Sequence, residues 1–171
     1  MDLAFSIDGI DEHANYIRYP SVWKEVDNNV NRWYEYAVEN KQKTSLCVCM
    51  TLSSLNIFYV DRMISYVEEK NEYFKNNILT LYLNLVHGPA HYNIQYIPDY
   101  YKKEVTEKLT PFIHKNHYLE SILQFMNNGS YNEIHWNEFK KQTKIADEYR
   151  NQSFKSCFPE IYQLMESNGD V

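Results

Sequence analysis

Ile78-Leu79-Thr80-Leu81-Tyr82-Leu83-Asn84-Leu85-Val86 is a nearly continuous apolar run that stops at His87-Gly88-Pro89. A run this short, closed by a Gly-Pro turn signal, reads as a β-strand. Upstream of it, Ile57, Val60, Ile64 and Val67 recur at spacings of three and four, the stripe of an amphipathic helix that Ser53 or Ser54 can cap. Ser45 to Leu52 is another strand candidate. Before that, Val22, Val26, Val30, Trp33 and Ala37 form a second helical stripe, with Pro20 suited to the first turn and an expected end near Asn40. Leu3 to Ile7 is a short apolar strand ended by Asp8-Gly9. The first half of the chain therefore reads βαβαβ.

Strands separated by amphipathic helices pair in parallel through right-handed crossovers, and ligands usually bind where the strands end. Those ends carry Ser6 and Asp8, then Thr51 and Ser53, then Asn84 and His87. A three-stranded parallel sheet with both helices on one face leaves its other face and its edges open, so it is expected to need completion.

The second half changes character. After an irregular stretch from Gly88 to Gln95, Pro98 opens a helix with Tyr101, Val105 and Leu109 on one side, Ile97 placed to staple its start and Pro111 to end or kink it. Leu119, Ile122, Leu123 and Met126 predict a helix that stops at Asn127-Asn128-Gly129. Trp136, Phe139, Thr143 and Ala146 mark another, and Phe158-Pro159 starts a short last helix with Ile161 and Leu164. The residues from Ser167 onward are expected to fray.

The 171 residues suffice for one domain with a core, and sixteen tyrosines place much aromatic surface at boundaries. A formal charge of -6, with no cluster of Lys or Arg, argues against a nucleic-acid surface. No apolar stretch approaches the ~20 residues of a membrane span, and no basic flank precedes an apolar segment at the N-terminus. The expectation is a soluble cytoplasmic protein. Cys47, Cys49 and Cys157 are odd in number and read as reduced thiols, the first two on one face of a strand as small buried hydrophobes. His87 and His91 are separated by Gly88-Pro89, a loop, so no metal site is expected there. Adjacent carboxylates such as Asp11-Glu12 and Glu68-Glu69 point apart and do not suggest acid-base work. The tyrosines around Tyr16-Tyr19, Tyr92-Tyr96 and Tyr100-Tyr101 either line a peptide groove or cover a junction.

Phe5-Ser6-Ile7-Asp8-Gly9-Ile10, followed after a short loop by Arg18 and a helix from Pro20, resembles the fourth strand and turn of radical S-adenosylmethionine proteins of the SPASM and twitch type. The resemblance implies that Ser6 and Arg18 hold the methionyl carboxylate of S-adenosylmethionine, with Asp8 beside them. It extends to Ser45–Leu52 with Asn56 as the fifth strand, and to the run ending in Leu85 and Val86 as the sixth, which borders the adenine in that family. His91 to Pro98 and Arg150 to Glu160 resemble the C-terminal extension of twitch-type proteins from phage and environmental sequences. The implied fold class is α/β: a βαβαβ half of a partial (β/α)6 barrel with parallel strands over residues 1–90, then a mostly helical appendage over 91–171.

The chain departs from that family in three ways. The Cys-x-x-x-Cys-x-x-Cys loop that holds the cluster is missing, as are the glycine-rich second strand and the cysteines of a twitch auxiliary cluster. Met1 stands directly before the fourth-strand equivalent. The expectation is a C-terminal portion of a radical enzyme that contributes part of the S-adenosylmethionine site. A separate N-terminal half would bring a 4Fe-4S cluster. The alternatives are an inactive peptide- or protein-binding module derived from such a barrel, or a half-barrel that self-associates through its open edge.

Overall fold

The computed structural model describes residues 2–40 and 44–171; Met1 lies outside them. The chain divides into two compact units, one of Met1–Thr51 with Tyr59–Asn84 and one of Leu52–Phe58 with Leu85–Val171. The protein is mixed α/β with one three-stranded parallel sheet of order β1-β2-β3.

The first unit contains β1 (Asp2–Ser6), α1 (Asp11–Ile17), α2 (Trp23–Glu39), α3 (Val60–Tyr73) and most of β2 (Ser45–Leu52) and β3 (Leu79–Leu85). β1 and β2 pair in register, Leu3 beside Leu46, Phe5 beside Val48 and Ser6 beside Cys49. The Leu46 N–H bonds to Ile78 O, and in parallel geometry this sets Leu79 beside Leu46, Thr80 beside Cys47 and Tyr82 beside Cys49. Side chains alternate across the sheet. One face carries Leu46, Val48 and Met50, all without exposed surface, which form this unit's core with the buried stripes of α2 and α3. The other carries Ala4, Ser6, Cys47, Cys49, Thr80 and Tyr82, all exposed or half-exposed.

Four expectations for this unit are corrected. The segment between Gly9 and Arg18 is not a loop but helix α1, which buries His13, Ala14 and Tyr16. α2 starts at Trp23, after Pro20, and its buried stripe runs through Val30, Tyr34 and Ala37, leaving Val22 and Trp33 at 50% and 41% exposure. Tyr34 can replace the expected residues because its hydroxyl is satisfied, with Asn71 Oδ1 and Asn76 O both in reach to accept its one hydrogen. α3 is entered through a 3-10 turn, Ile57–Tyr59, with no side-chain cap from Ser53 or Ser54. β3 runs Leu79–Leu85, one residue shorter at each end than Ile78 to Val86, with Leu79 and Leu83 covered while Thr80 and Tyr82 are exposed.

Asn71 on α3 seats the start of β3, its side chain accepting the Leu79 N–H and donating to Leu79 O. α2 and α3 are joined by the Tyr66 hydroxyl on Asp27 at 2.9 Å, Lys70 on Asp27 at 2.7 Å and the stacking of Tyr34 on Phe74.

The second unit is built from α4 (Asp99–Leu109), α5 (Leu119–Asn128), α6 (Glu133–Arg150), α7 (Phe154–Cys157) and α8 (Pro159–Ser167). The expected stripe Tyr101, Val105 and Leu109 is fully buried, as are Leu119, Met126, Phe139 and Ile161. Trp136 stacks on Phe139, and Phe139 meets Phe154 edge-on. Gly129 ends α5 where a β-carbon would lie 2.3 Å from Gln95 Cβ and 2.6 Å from Gln95 O, so glycine is required for this close approach.

Two further corrections fall here. The segment before Pro159 forms α7, started by Ser153, whose hydroxyl accepts the Ser156 N–H. The tail is anchored rather than frayed: Asp170 accepts from Tyr100 Oη at 2.6 Å, Trp136 Nε1 at 2.5 Å and Lys140 Nζ at 2.5 Å. Three donors converging on one carboxylate outweigh the ordinary tendency of chain ends to come loose.

Candidate functional site

Arg18 is the cap residue that follows α1. This helix lies between the end of β1 and Arg18, so it returns the guanidinium to the strand it left. Arg18 Nη2 donates to Ser6 Oγ at 2.8 Å and Nε donates to Asp8 Oδ2 at 2.6 Å. The other Asp8 oxygen accepts the Thr51 N–H at 2.8 Å. Asp8 is thus held at the sheet end by a backbone bond and holds Arg18 in turn.

Around them is a pocket of about 300 Å³ lined by Ser6, Ile7, Asp8, Ala14, Arg18, Ser21, Trp23 and Val26. Its polar wall is the Ser6–Asp8–Arg18 cluster and its apolar wall comes from α1 and the start of α2. The two helices are joined by the Trp23 N–H, which donates to Asn15 Oδ1 at 2.6 Å. The Arg18 side chain is 43% exposed whereas that of Asp8 is 9% exposed. Arg18 Nη1 makes no hydrogen bond to another described residue. A guanidinium with one terminal nitrogen left over, next to a hydroxyl that accepts from it and keeps its own hydrogen, can take a carboxylate.

The structure brings Ser6, Asp8 and Arg18 together. Asn56, Leu85 and Val86 belong to the second unit. Asn56 is 1% exposed and its Oδ1 accepts the Ser53 N–H at 2.7 Å, closing a turn. Leu85 and Val86 are half-buried, and the Val86 N–H bonds to Leu52 O as the strand ends. Composition and spacing missed Ser21, Trp23 and Ala14 as pocket-lining residues. They also missed His13, buried with its ring tilted against that of Tyr59, the centroids 4.0 Å apart. The available signal was the recurrence of Ile10, Ala14 and Ile17 at helical spacing.

Cys47 and Cys49 stand with their sulfurs 3.8 Å apart on the half-exposed sheet face. Burial, and then the neighbouring Cys47, raise the Cys49 thiol above its ordinary pKa. His91 is held below its usual value by burial, partly offset by Glu138. The described residues contain no group of three or more His, Cys, Asp or Glu placed to hold a metal ion, and no helix long and apolar enough to cross a membrane. Comparison with family models, with curated proteins and with solved structures gives no match.

Proposed function

We propose that this chain supplies the C-terminal half of a radical S-adenosylmethionine-type barrel and grips the amino-acid end of S-adenosylmethionine with Ser6 and Arg18. The observation that carries the reading is the 2.8 Å contact of Arg18 with Ser6 at the end of a parallel strand, beside a pocket. Asp8, with both oxygens engaged inside the chain, serves as a positioning residue for Arg18. A pocket of about 300 Å³ suits a methionyl headgroup and is at the small end of ligand sites.

The residues fit the carboxylate of the cofactor but not a cluster, since no three thiols converge among the described residues. When bound, a 4Fe-4S cluster supplies the electron for cofactor cleavage; on this reading it comes from a separate N-terminal half. The residues of this chain bind and orient. The exposed small and polar side chains of the sheet face, Ala4, Ser6 and Thr80, fit the lining of a barrel interior better than a surface covered by another apolar layer. A peptide substrate remains the expectation drawn from the wider family.

The closing of Arg18 onto Asp8 favours a second reading, a catalytically silent module in which the cluster is a clasp between strand and helix. Calorimetry on the full chain separates the two. Under the first reading S-adenosylmethionine binds more tightly than its decarboxylated analogue by about tenfold or more, as expected for a charge-assisted contact worth about 1.5–3 kcal/mol, and Arg18→Gln erases the difference. Equal binding of both compounds, or binding of neither, by the chain together with a cluster-bearing half sinks it.

A further inference from the structure

We infer that Cys47 and Cys49 form a two-thiolate chelate for a soft monovalent cation, Cu(I), on the half-exposed face of the sheet. The two cysteines are alternate residues of β2, and their sulfurs already face each other at 3.8 Å. This separation bears on the two things a pair of thiols can do.

A disulfide needs Cα atoms usually ~4.4–6.8 Å apart, with a preference near ~5.5–6 Å. Alternate residues of a parallel strand lie roughly 6.6 Å apart, at the upper end of that range, so a bridge within β2 would sit near the limit of disulfide geometry. β2 is held on both sides, by β1 in register and by β3 through Leu46. A metal needs little movement. With metal–sulfur bonds of about 2.3 Å, two sulfurs are about 4.0 Å apart at the trigonal angle of a site that one exogenous donor completes.

The surroundings allow an ion and favour a low coordination number. The strand neighbours on the same face are Ala4 and Ser6 on β1, both small, and Thr80 and Tyr82 on β3. None of these is a thiol, imidazole or carboxylate, and Asp2, one step further along the same face of β1, is engaged by the Ser45 hydroxyl, so a cation that demands four protein ligands is poorly served. Thiolates favour Cu(I), Zn(II) and iron-sulfur clusters, and of these Cu(I) is satisfied by the fewest donors. Binding would release the protons of both thiols as the two Cu–S bonds form, with no change of oxidation state. The inference stands apart from the S-adenosylmethionine reading, since it uses neither Arg18 nor the pocket.

The test is anaerobic titration of the reduced full chain with Cu(I) held by a coloured chelator. One Cu(I) should pass to each chain, and Cys47→Ser and Cys49→Ser should each abolish the transfer while Cys157→Ser leaves it intact. X-ray absorption on the loaded wild type should find two sulfur neighbours, which keeps the test decisive should a variant fail to fold. No transfer, transfer that depends on Cys157, displacement of Cu(I) by equimolar Zn(II), or a sulfur count below two overturns the proposal.

Discussion

Arg18 reaches back twelve positions to place Nη2 2.8 Å from the Ser6 hydroxyl oxygen. The contact depends on Asp8, which anchors the guanidinium at 2.6 Å and is itself fixed by the Thr51 N–H.

Asp8→Asn should loosen Arg18 and the end of β1 together. The amide can still accept from Thr51 but has no charge for Arg18. The loss expected is about 1–2 kcal/mol, at the low end for a charged hydrogen bond because Arg18 is partly exposed. Urea unfolding would read it, and an unchanged midpoint would contradict the positioning role.

Tyr34→Phe should destabilise the first unit by roughly 1–2 kcal/mol. Removal of the hydroxyl takes away the one hydrogen that Asn71 Oδ1 and Asn76 O are placed to accept, in a site with no solvent exposure for the residue. Because Asn71 also pairs with both backbone groups of Leu79, slow amide exchange at Leu79 should speed up in the variant. Unaltered exchange there would disconnect Tyr34 from the seating of β3.

Gly129→Ala should cost about 1–3 kcal/mol, since the new methyl meets Gln95 backbone as well as its side chain. Gly88→Ala is the control, with nothing within 4 Å of the added carbon. Thermal melts that rank the two the other way would refute the close approach.

Acid should release the C-terminal tail. Burial raises the Asp170 carboxyl, but the bonds from Lys140, Tyr100 and Trp136 outweigh it and leave the pKa below the usual Asp value. A group depressed in the folded state contributes stability above its unfolded pKa of ~3.9 and loses it as pH falls further. Trp136 fluorescence should therefore change below about pH 4, and Asp170→Asn should remove this step. A transition near neutrality would assign the change to another group.

The strands and most helices were legible in the sequence because their buried faces repeat with periods of two and near 3.6. The Tyr101–Val105–Leu109 and Leu119–Ile122–Met126 stripes are examples. Ser6 and Arg18 were legible through resemblance. What escaped was α1, whose faint apolar recurrence at Ile10, Ala14 and Ile17 differs from the face it buries, His13, Ala14 and Tyr16. The anchoring of Asp170 also escaped, since its three donors lie 30 to 70 positions away. Trp33 was misplaced because two aromatics stand side by side, and only the partners of the Tyr34 hydroxyl decide which one turns inward.

β2 alternates without exception between covered aliphatics and half-covered thiols or hydroxyls. Sliding the strand by a single step would push Leu46, Val48 and Met50 into water and force both sulfurs inward. The outward aim of Cys47 and Cys49 is therefore secured by oily neighbours on the reverse side, and changes to those neighbours would disturb the thiols without touching them.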